Sequence, residues 1–156
     1  MAEKVYSIKS FMRAELNEPR VVEIPGVATF SDEAGNPIPM KIREITSGRL
    51  AEMRKQATRR HVVKDGKGKP VKVNGQFQYT EDVDSTLLTN IMIAEAMVFP
   101  DLHDKELLEF YHEMEAVKLV NKVFARLEDY QYIADQIQEV SGLNRDADDI
   151  IDEAKN

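Results

Sequence analysis

The C-terminal half of the chain carries a helical repeat of apolar residues, which runs from Asp82 almost to the last residue. Apolar residues recur every three or four positions, and this spacing predicts amphipathic helices. Pro100 cannot continue a helix, and Ser141-Gly142 is typical of a helix end, so the repeat is divided into short helices. The sequence therefore predicts a helical bundle. The apolar residues of the repeat are Leu87, Leu88, Ile91, Met92, Ala94, Val98, Leu107, Leu108, Tyr111, Ala116, Leu119, Val120, Val123, Leu127, Tyr130, Ile133, Ala134, Ile137, Ile150, Ile151 and Ala154.

Residues with short polar side chains mark the predicted starts of these helices, because their oxygens can accept hydrogen bonds from the first free N–H groups. A further helix is expected after residue 46, with Leu50, Met53 and Ala57 on its inner face. It ends in the basic cluster Arg59-Arg60-His61, where positive charge suits the helix dipole. The predicted capping residues are Thr46 or Ser47, Asp82 and Asp84, Asp101, and Asn144 ahead of a final acidic helix.

The first 45 residues have a different pattern. The helical spacing of Val5, Ile8, Met12 and Leu16 predicts a short N-terminal helix. From residue 20 to residue 45, apolar residues come in short runs that are typical of strands, separated by turn residues. This region predicts a small antiparallel hairpin or sheet. The strand-like runs are Val21–Ile24, Val27–Phe30 and the alternating Ile38, Met40 and Ile42, and the turn lies at Asp32–Asn36.

The fold class predicted from these patterns is α+β, mainly α. A small antiparallel β-hairpin or sheet is followed by a C-terminal bundle of four to five short helices. Residues 1–45 form the helix and hairpin region, and residues 46–156 form the helical domain. The Gly-Lys steps of Lys64–Pro70 predict a mobile basic loop at 61–80, with the tip of a second hairpin as the alternative. At 156 residues the two regions are expected to form one compact unit.

Charge is distributed unevenly along the chain. Residues 40–75 hold eleven basic and three acidic residues, a net charge of +8, whereas residues 101–156 hold six basic and fifteen acidic residues, a net charge of −9. Such a molecule can associate with itself head to tail or meet two partners of opposite charge. The alternative is that both regions are simply solvated surfaces.

The residues needed for most catalytic sites are missing. The chain has no cysteine, which excludes disulfides, thiolate metal sites and a cysteine nucleophile. Gly66 and Gly68 lack the spacing of a phosphate-binding loop. Glu109-x-x-His112 has the spacing of a metal ligand pair, but the second such pair of a bundle site is absent. We therefore expect no enzyme activity, no cofactor and no metal. No apolar run suits a signal peptide or a membrane span, so the expected location is the cytoplasm.

Nucleic-acid binding is the alternative function. The basic residues between positions 54 and 72 could neutralise phosphates, and Phe77 and Tyr79 could stack on bases. No known nucleic-acid-binding motif accompanies them, and the acidic helical half would repel a polyanion. A small regulator with a basic face is therefore the second hypothesis, behind a protein-binding function that uses the methionines and aromatics of the helical half.

Several short motifs follow one another in a definite order. They are Ile45-Thr46-Ser47, the Gly/Lys loop, Val98-Phe99-Pro100-Asp101-Leu102, Leu107-Leu108-x-Phe110-Tyr111, Ala116-Val117-x-Leu119, Tyr130-x-x-Ile133-Ala134, Gln136-Ile137-x-Glu139-Val140, Ser141-Gly142 and Glu153-Ala154-Lys155-Asn156. In this order they resemble the phage tail assembly chaperones of the XkdN-like group, from about Ser7 to Asn156. No motif is diagnostic alone, and the resemblance depends on the ordered set.

The resemblance implies a bacteriophage or prophage protein of virion assembly. Such a factor is made in the host bacterial cytoplasm and accompanies the tape measure protein while the tail tube is built. It is released as tube subunits polymerise and is not expected in the mature virion. Relatives often make a longer frameshifted product, which implies the tail tube protein as a second partner. On this hypothesis the helical half binds the partner, and the candidate residues are Phe110, Tyr111, Met114, Tyr130 and Tyr132.

Overall fold

A buried central helix organises the fold seen in the computed structural model, which describes residues 4–143. The helices are α1 (Ser47–Ala57), α2 (Ser85–Ala96), α3 (Lys105–Phe110), α4 (Ala116–Val123) and α5 (Leu127–Val140). The strands are β1 (Val21–Ile24), β2 (Met40–Arg43), β3 (Thr58–Val62), β4 (Lys72–Val73), β5 (Gln76–Phe77), β6 (Tyr79–Val83) and β7 (Met97–Phe99). The α+β class with helices predominant is confirmed. The final acidic helix predicted after Asn144 lies outside the described residues.

Helix α2 is apolar on more than one face, and so it is buried among other helices. It packs against α1, α4 and α5. A chain of side-chain hydrogen bonds crosses this contact: the Asn90 amide donates to Asn121 Oδ1 at 2.7 Å, and the Tyr130 hydroxyl donates to Asn90 Oδ1 at 2.7 Å. Because these polar groups satisfy one another, their hydrogen bonds offset the cost of removing them from water where the helices pack.

Several predicted caps are present. Thr46 and Asp84 cap α1 and α2 through their side-chain oxygens, and Gly142 has a φ of +77° after the end of α5. The next cap is Asp104, which accepts from the N–H of Leu107, whereas Asp101 accepts from the N–H of His103 one turn earlier. The prediction that Asp101 caps this helix is therefore wrong, because residues 101–104 form a turn before α3 begins.

A three-stranded antiparallel sheet lies beside the bundle, in the order β1-β2-β7. Met40 and Ile42 are buried while Lys41 and Arg43 are exposed, as the alternation predicts. The hairpin β1-β2 is confirmed, but Val27–Phe30 is not a strand. It forms a turn in which the N–H of Phe30 donates to the carbonyl of Val27. Strand β7 was predicted as the end of α2, and its pairing with β2 joins the two predicted regions.

The segment predicted as a mobile basic loop, or alternatively as a hairpin tip, lies in a β-ribbon (residues 58–83), in agreement with the hairpin alternative. Strands β3 and β6 pair in antiparallel register from Thr58↔Val83 to Val62↔Tyr79, and β4 and β5 pair near the tip. The basic cluster Arg59-Arg60-His61 therefore belongs to a strand and not to a helix end. In the strand register Arg59 lies opposite Asp82 and Arg60 lies opposite Glu81, an arrangement of opposite charges that favours strand pairing.

The N-terminal helix predicted from Val5 to Leu16 is not an α-helix. Two short 3-10 helices, Ile8–Phe11 and Ala14–Asn17, replace it. Ser7 caps the first of them by accepting from the N–H of Lys9 at 3.2 Å. Val5, Ile8 and Met12, three of the residues at the helical spacing, are exposed and do not pack against the core. Helical spacing alone could not stabilise an α-helix here, because short helices depend on tertiary packing.

Candidate partner-binding site

An apolar groove opens between the three-stranded sheet and helix α3. We define the groove as two lobes that share Phe99, Pro100 and Leu107. The inner lobe has a volume of about 180 Å³, and it is almost free of polar atoms. Such a concave and apolar surface is the usual form of a protein's binding site for a small molecule or an apolar side chain. Its other lining residues are Phe30, Ile38, Met40, Tyr111 and Val123.

The outer lobe is wider and has an acidic rim. Its volume is about 460 Å³, and Phe110 forms one wall of it. Asp101, Asp104 and Glu106 line the same lobe. An apolar surface surrounded by charged residues is typical of a protein-binding site, where the apolar centre supplies affinity and the rim supplies orientation.

Local sequence explains why this groove is open. Helix α3 has only six residues and no buried residue, so it covers the sheet incompletely. The turn after it is held by Lys122, whose ammonium group donates to the carbonyl of Tyr111 and contacts Glu113, both at 2.9 Å. His112 lies in this turn with a φ of +56°. The chain therefore reverses directly after Tyr111 and leaves Phe110 facing outward.

Two of the five predicted partner-binding residues, Phe110 and Tyr111, line the groove, and Met114 lines neither lobe. Phe110 is 74% exposed, and its ring lies edge-on to that of Tyr111, with 4.9 Å between the centroids. Tyr111 is half-buried and lines the inner lobe. Met114 is 93% exposed, three residues beyond Tyr111. Large apolar side chains that are exposed together on a folded surface commonly mark a binding site.

The other two predicted residues lie on α5 and are held inside the fold. The Tyr130 hydroxyl donates to Asn90, and the Tyr132 hydroxyl donates to the carbonyl of Pro25 at 2.7 Å. Burial raises the pKa of both tyrosines above the ordinary value, so both hydroxyls stay protonated and keep these hydrogen bonds. Their role in partner binding remains a prediction.

Sequence reasoning did not assign Phe99, Pro100, Leu107 or the β-strand side of the groove to the site. Phe99 directly precedes a proline at the end of a helical pattern, and it is 52% exposed. A large aromatic residue at such an end can indicate a binding surface, because it does not belong to the apolar face of the helix before it. Ile38 gave a similar signal, since prolines flank it on both sides.

Residues 4–143 include no group of three acidic or histidine side chains that could hold a metal ion. His61 contacts Asp82 in the β-ribbon, at 2.8 Å, whereas His103 lies 3.5 Å from Asp101. Glu109 and His112, the predicted spacing of a ligand pair, are joined through the backbone, where the His112 N–H donates to the Glu109 carbonyl. Within the same residues, no helix is long and apolar enough to cross a bilayer.

Comparison with known protein families identifies the class of this protein. Residues 8–155 match the family model of the phage XkdN-like tail assembly chaperone protein. The chain belongs to this family. The resemblance inferred from the ordered motifs is thus confirmed, over nearly the same residues. Membership of the tail assembly chaperone family suggests phage tail proteins as its partners.

Two curated relatives from Bacillus subtilis (strain 168) are similar along almost their whole length. The protein XkdN of the phage-like element PBSX is 29% identical over 154 residues, which are 99% of this chain and 97% of the relative. The protein YqbN is also 29% identical over 154 residues, 96% of its length. The crystal structure of YqbN has a TM-score of 0.65 and covers 89% of this chain and 98% of its own, at 24% identity. It supports the fold.

Proposed function

We propose that this tail assembly chaperone binds the tape measure protein, and that its apolar groove holds apolar helical segments of that guest. The observation that carries the proposal is the groove itself, with Phe99 and Phe110 exposed at its opening. An amphipathic helix recognises such a groove through residues spaced three or four apart. The proposal uses Phe110, Tyr111 and Met114 as contacts.

The physical need for such a chaperone follows from the proposed guest. A tape measure protein is a very long helical chain with apolar stripes, and those stripes aggregate when no tube encloses them. Many copies of a chaperone, each covering a short length, keep such a chain soluble. Tube subunits must later displace them, so each contact is weak while the sum is large.

The acidic rim adds orientation to this contact. Asp101, Asp104 and Glu106 favour guest segments that carry lysine or arginine beside their apolar stripe. Charges at the rim of an interface mainly change association rates and specificity and add little affinity. The contact therefore stays weak enough for tube subunits to displace the chaperone. We propose that the protein acts in the host cytoplasm through binding alone, without catalysis.

Co-expression with the tape measure protein of the same genome tests the proposal. We expect the soluble fraction of the tape measure protein to rise when the wild-type chain is present. The variant Phe110→Ser should lose most of this effect, because it removes the most exposed apolar side chain of the groove. Soluble yield and co-purification are the measurements.

The matched control is Phe77→Ser in the β-ribbon, which changes the same residue type at another exposed position. We expect it to keep the wild-type effect. A tape measure protein that is no more soluble with the wild-type chain than without it would refute the proposal. If Phe110→Ser and Phe77→Ser give the same soluble yield of the tape measure protein, the chain binds its guest but the groove is not the binding site.

A further inference from the structure

The inner lobe of the groove has the size of one aromatic ring. Its volume is about 180 Å³, and an engineered protein cavity of about 150 Å³ binds one benzene molecule. Met40 and Val123 line the lobe and are buried, so it reaches the core, while the half-exposed Phe99 lies at its opening. The lobe can therefore accept one large side chain of a partner, but not two.

The walls of the inner lobe are held in place by contacts within the fold. The Ile38 N–H donates to the Phe30 carbonyl at 2.9 Å, and the Phe30 ring packs edge-on against the buried Phe124. On the other side, the Tyr111 carbonyl accepts from the Lys122 ammonium group. A site that is already ordered loses less conformational freedom on binding, so it can select its occupant by size and shape.

The lack of polar atoms in the inner lobe distinguishes among aromatic occupants. The hydroxyl of a tyrosine or the N–H of a tryptophan would lose its hydrogen bond to water there and gain none in return. A phenylalanine ring has no such group. Leucine has none either, but it is smaller and would leave part of the lobe empty, which forfeits contacts. The lobe therefore favours phenylalanine.

The outer lobe offers one available carboxylate. Asp101 accepts from the His103 N–H at 2.9 Å, and Asp104 accepts from the Leu107 N–H at 3.1 Å, so both already serve the turn before α3. Glu106 is exposed at the same rim, and no side-chain hydrogen bond or ion pair engages its carboxylate within residues 4–143. Glu106 is therefore the natural contact for a cation of the partner.

A lysine or arginine suits the outer lobe as a whole. Its methylene groups can cover the rings of Phe99 and Phe110, while its charged end reaches Glu106. The two lobes are contiguous, since they share Phe99, Pro100 and Leu107. On a helix, residues three or four positions apart lie on one face with about 5–6 Å between their Cβ atoms. Two residues at this spacing can enter the two lobes together.

We propose that the groove recognises a defined pair of guest residues: a phenylalanine that fills the inner lobe and a lysine or arginine, three or four positions away, that reaches Glu106. The inference rests on the proposed function, because it names the feature of the guest helix that the groove selects. A long helical guest that repeats this pair offers a separate site to each bound copy. Helical segments with tyrosine, tryptophan or acidic residues at these positions are left unbound.

Side-chain analogues test the inner lobe with no guest protein present. Toluene and p-cresol carry the rings of phenylalanine and tyrosine, and the methyl NMR signals of Ile38 and Val123 in the full-length protein report their binding. We expect toluene to shift both signals and to bind about tenfold more tightly than p-cresol. Ile133 and Ile137 are buried and line neither lobe, so their signals should stay unchanged.

Two results would overturn this part of the proposal. Toluene may leave the Ile38 and Val123 signals where they are, which means that the inner lobe does not hold an aromatic ring. Alternatively, p-cresol may bind as tightly as toluene, which means that the lobe does not select phenylalanine. Each result comes from the intact wild-type protein, so neither can be attributed to misfolding.

A helical peptide tests the charged half of the pair. An alanine-rich peptide of about 20 residues is long enough to be helical, and it carries one phenylalanine and, four positions later, one lysine. The same NMR signals measure its affinity. We expect Glu106→Lys to weaken binding about threefold to tenfold, because it puts like charges together. A second peptide with glutamate in place of the lysine should bind Glu106→Lys more tightly than it binds the wild type.

Glu139→Lys is the matched control, since it makes the same change of charge at an exposed position that lines neither lobe. We expect it to change the affinity for the lysine peptide by less than about twofold. If Glu106→Lys and Glu139→Lys have equal effects, or if the glutamate peptide shows no preference for Glu106→Lys, Glu106 does not read the guest charge and the proposed pair is wrong.

These results are separable from the test of the proposed function. If the wild-type chain solubilises the tape measure protein but the groove does not distinguish toluene from p-cresol, the chaperone function stands and the recognition pair is wrong. If toluene and the peptides bind as expected but the tape measure protein is no more soluble, the recognition pair stands and the proposed function is wrong.

Discussion

The body of this protein, which comprises the five helices and the sheet β1-β2-β7, and its β-ribbon both contain antiparallel strands but differ in what stabilises those strands. In the body, Met40 and Ile42 of strand β2 are buried against the helices. In the ribbon, all five residues of β3 and all five of β6 are exposed. The ribbon is therefore held by pairs of neighbouring side chains, whereas the body is held by burial.

Those pairs can be named. The Arg60 guanidinium lies 3.6 Å from the centre of the Tyr79 ring, and Lys72 Nζ lies 4.7 Å from that of Phe77. Each exposed cation–π contact contributes about 0.5–1 kcal/mol. At the base of the ribbon, Arg59 contacts Asp84 at 3.3 Å. The hydrogen bond from the Leu87 N–H lowers the Asp84 pKa most, and the Arg59 contact lowers it further. Burial of one large side chain in the body contributes more, about 1.5–3 kcal/mol.

The same substitution in each region gives the largest expected contrast. Phe124 is 1% exposed and packs edge-on against Phe30, with 6.4 Å between the ring centroids. We expect Phe124→Ala to lower the free energy of unfolding by about 3–5 kcal/mol, because it removes buried surface and leaves a cavity. Urea unfolding followed by circular dichroism measures the change.

Phe77→Ala is the matched variant in the ribbon, where the ring is 44% exposed. We expect it to cost less than about 1 kcal/mol, the contribution of its contact with Lys72. Equal losses for the two variants would show that the ribbon is part of the cooperative core and would end the distinction between the regions.

A close approach of two backbone segments tests the sheet side of the body. A Cβ atom at Gly26 would lie 2.0 Å from the carbonyl oxygen of Ile38, so one of the two segments must move when Gly26 becomes alanine. We expect Gly26→Ala to lower the free energy of unfolding by about 1–3 kcal/mol, as overpacking does elsewhere. Since Ile38 lines the groove, the variant should also bind the proposed guest more weakly. Chemical unfolding and co-purification are the measurements.

Gly48→Ala is the control, because a Cβ at Gly48 meets no atom within 4 Å in the described structure. It should leave stability unchanged or raise it by less than about 1 kcal/mol, since alanine favours the helical state. If both glycine variants are neutral, the two segments at Gly26 are free to separate.

The contrast between the body and the ribbon also explains which parts of the fold could be predicted from the sequence. The amphipathic repeat predicted the bundle because burial imposes a period on the residues that it selects. Asp84 and Gly142 were predictable for a similar reason, as each meets a local need of a helix end. The ribbon was predicted only as an alternative, as a second hairpin with its tip near Lys64–Pro70, since β3 and β6 are exposed on both faces and carry no alternation of buried and exposed residues.

The groove was predictable only in part. Phe110, Tyr111 and Met114 lie close together in sequence, and their apolar character was sufficient to select them. The opposite wall comes from Phe30 and Ile38, which reach the groove because β2 pairs with β7. A pairing between distant strands has no local signal in one sequence, so this wall could not be inferred. Tyr130 and Tyr132 were chosen by residue type, which does not reveal that their hydroxyls bond within the fold.

Trimming the ribbon is expected to have the smallest effect on the body. Val63 and Gln78 lie opposite each other, and the Val63 N–H donates to the Gln78 carbonyl at 2.9 Å. Replacing residues 64–77 with Asn-Gly would close this pair with a two-residue turn. Because the ribbon tip is exposed, we expect the free energy of unfolding to change by no more than about 0.5 kcal/mol. Urea unfolding followed by the helical circular dichroism signal measures it.

The same variant separates the two functions considered for the chain, because it removes Lys64, Lys67, Lys69 and Lys72 but leaves the groove intact. If the groove binds the guest, the trimmed protein keeps the tape measure protein as soluble as the wild type does. If basic residues of the ribbon instead bind nucleic acid, affinity for a mixed DNA pool falls and its dependence on salt becomes shallower, by roughly one unit of slope per lost phosphate contact. A trimmed protein that folds normally but no longer supports the guest would place the binding site in the ribbon, and the exposed strands β3 and β6 would then be the surface that the partner covers.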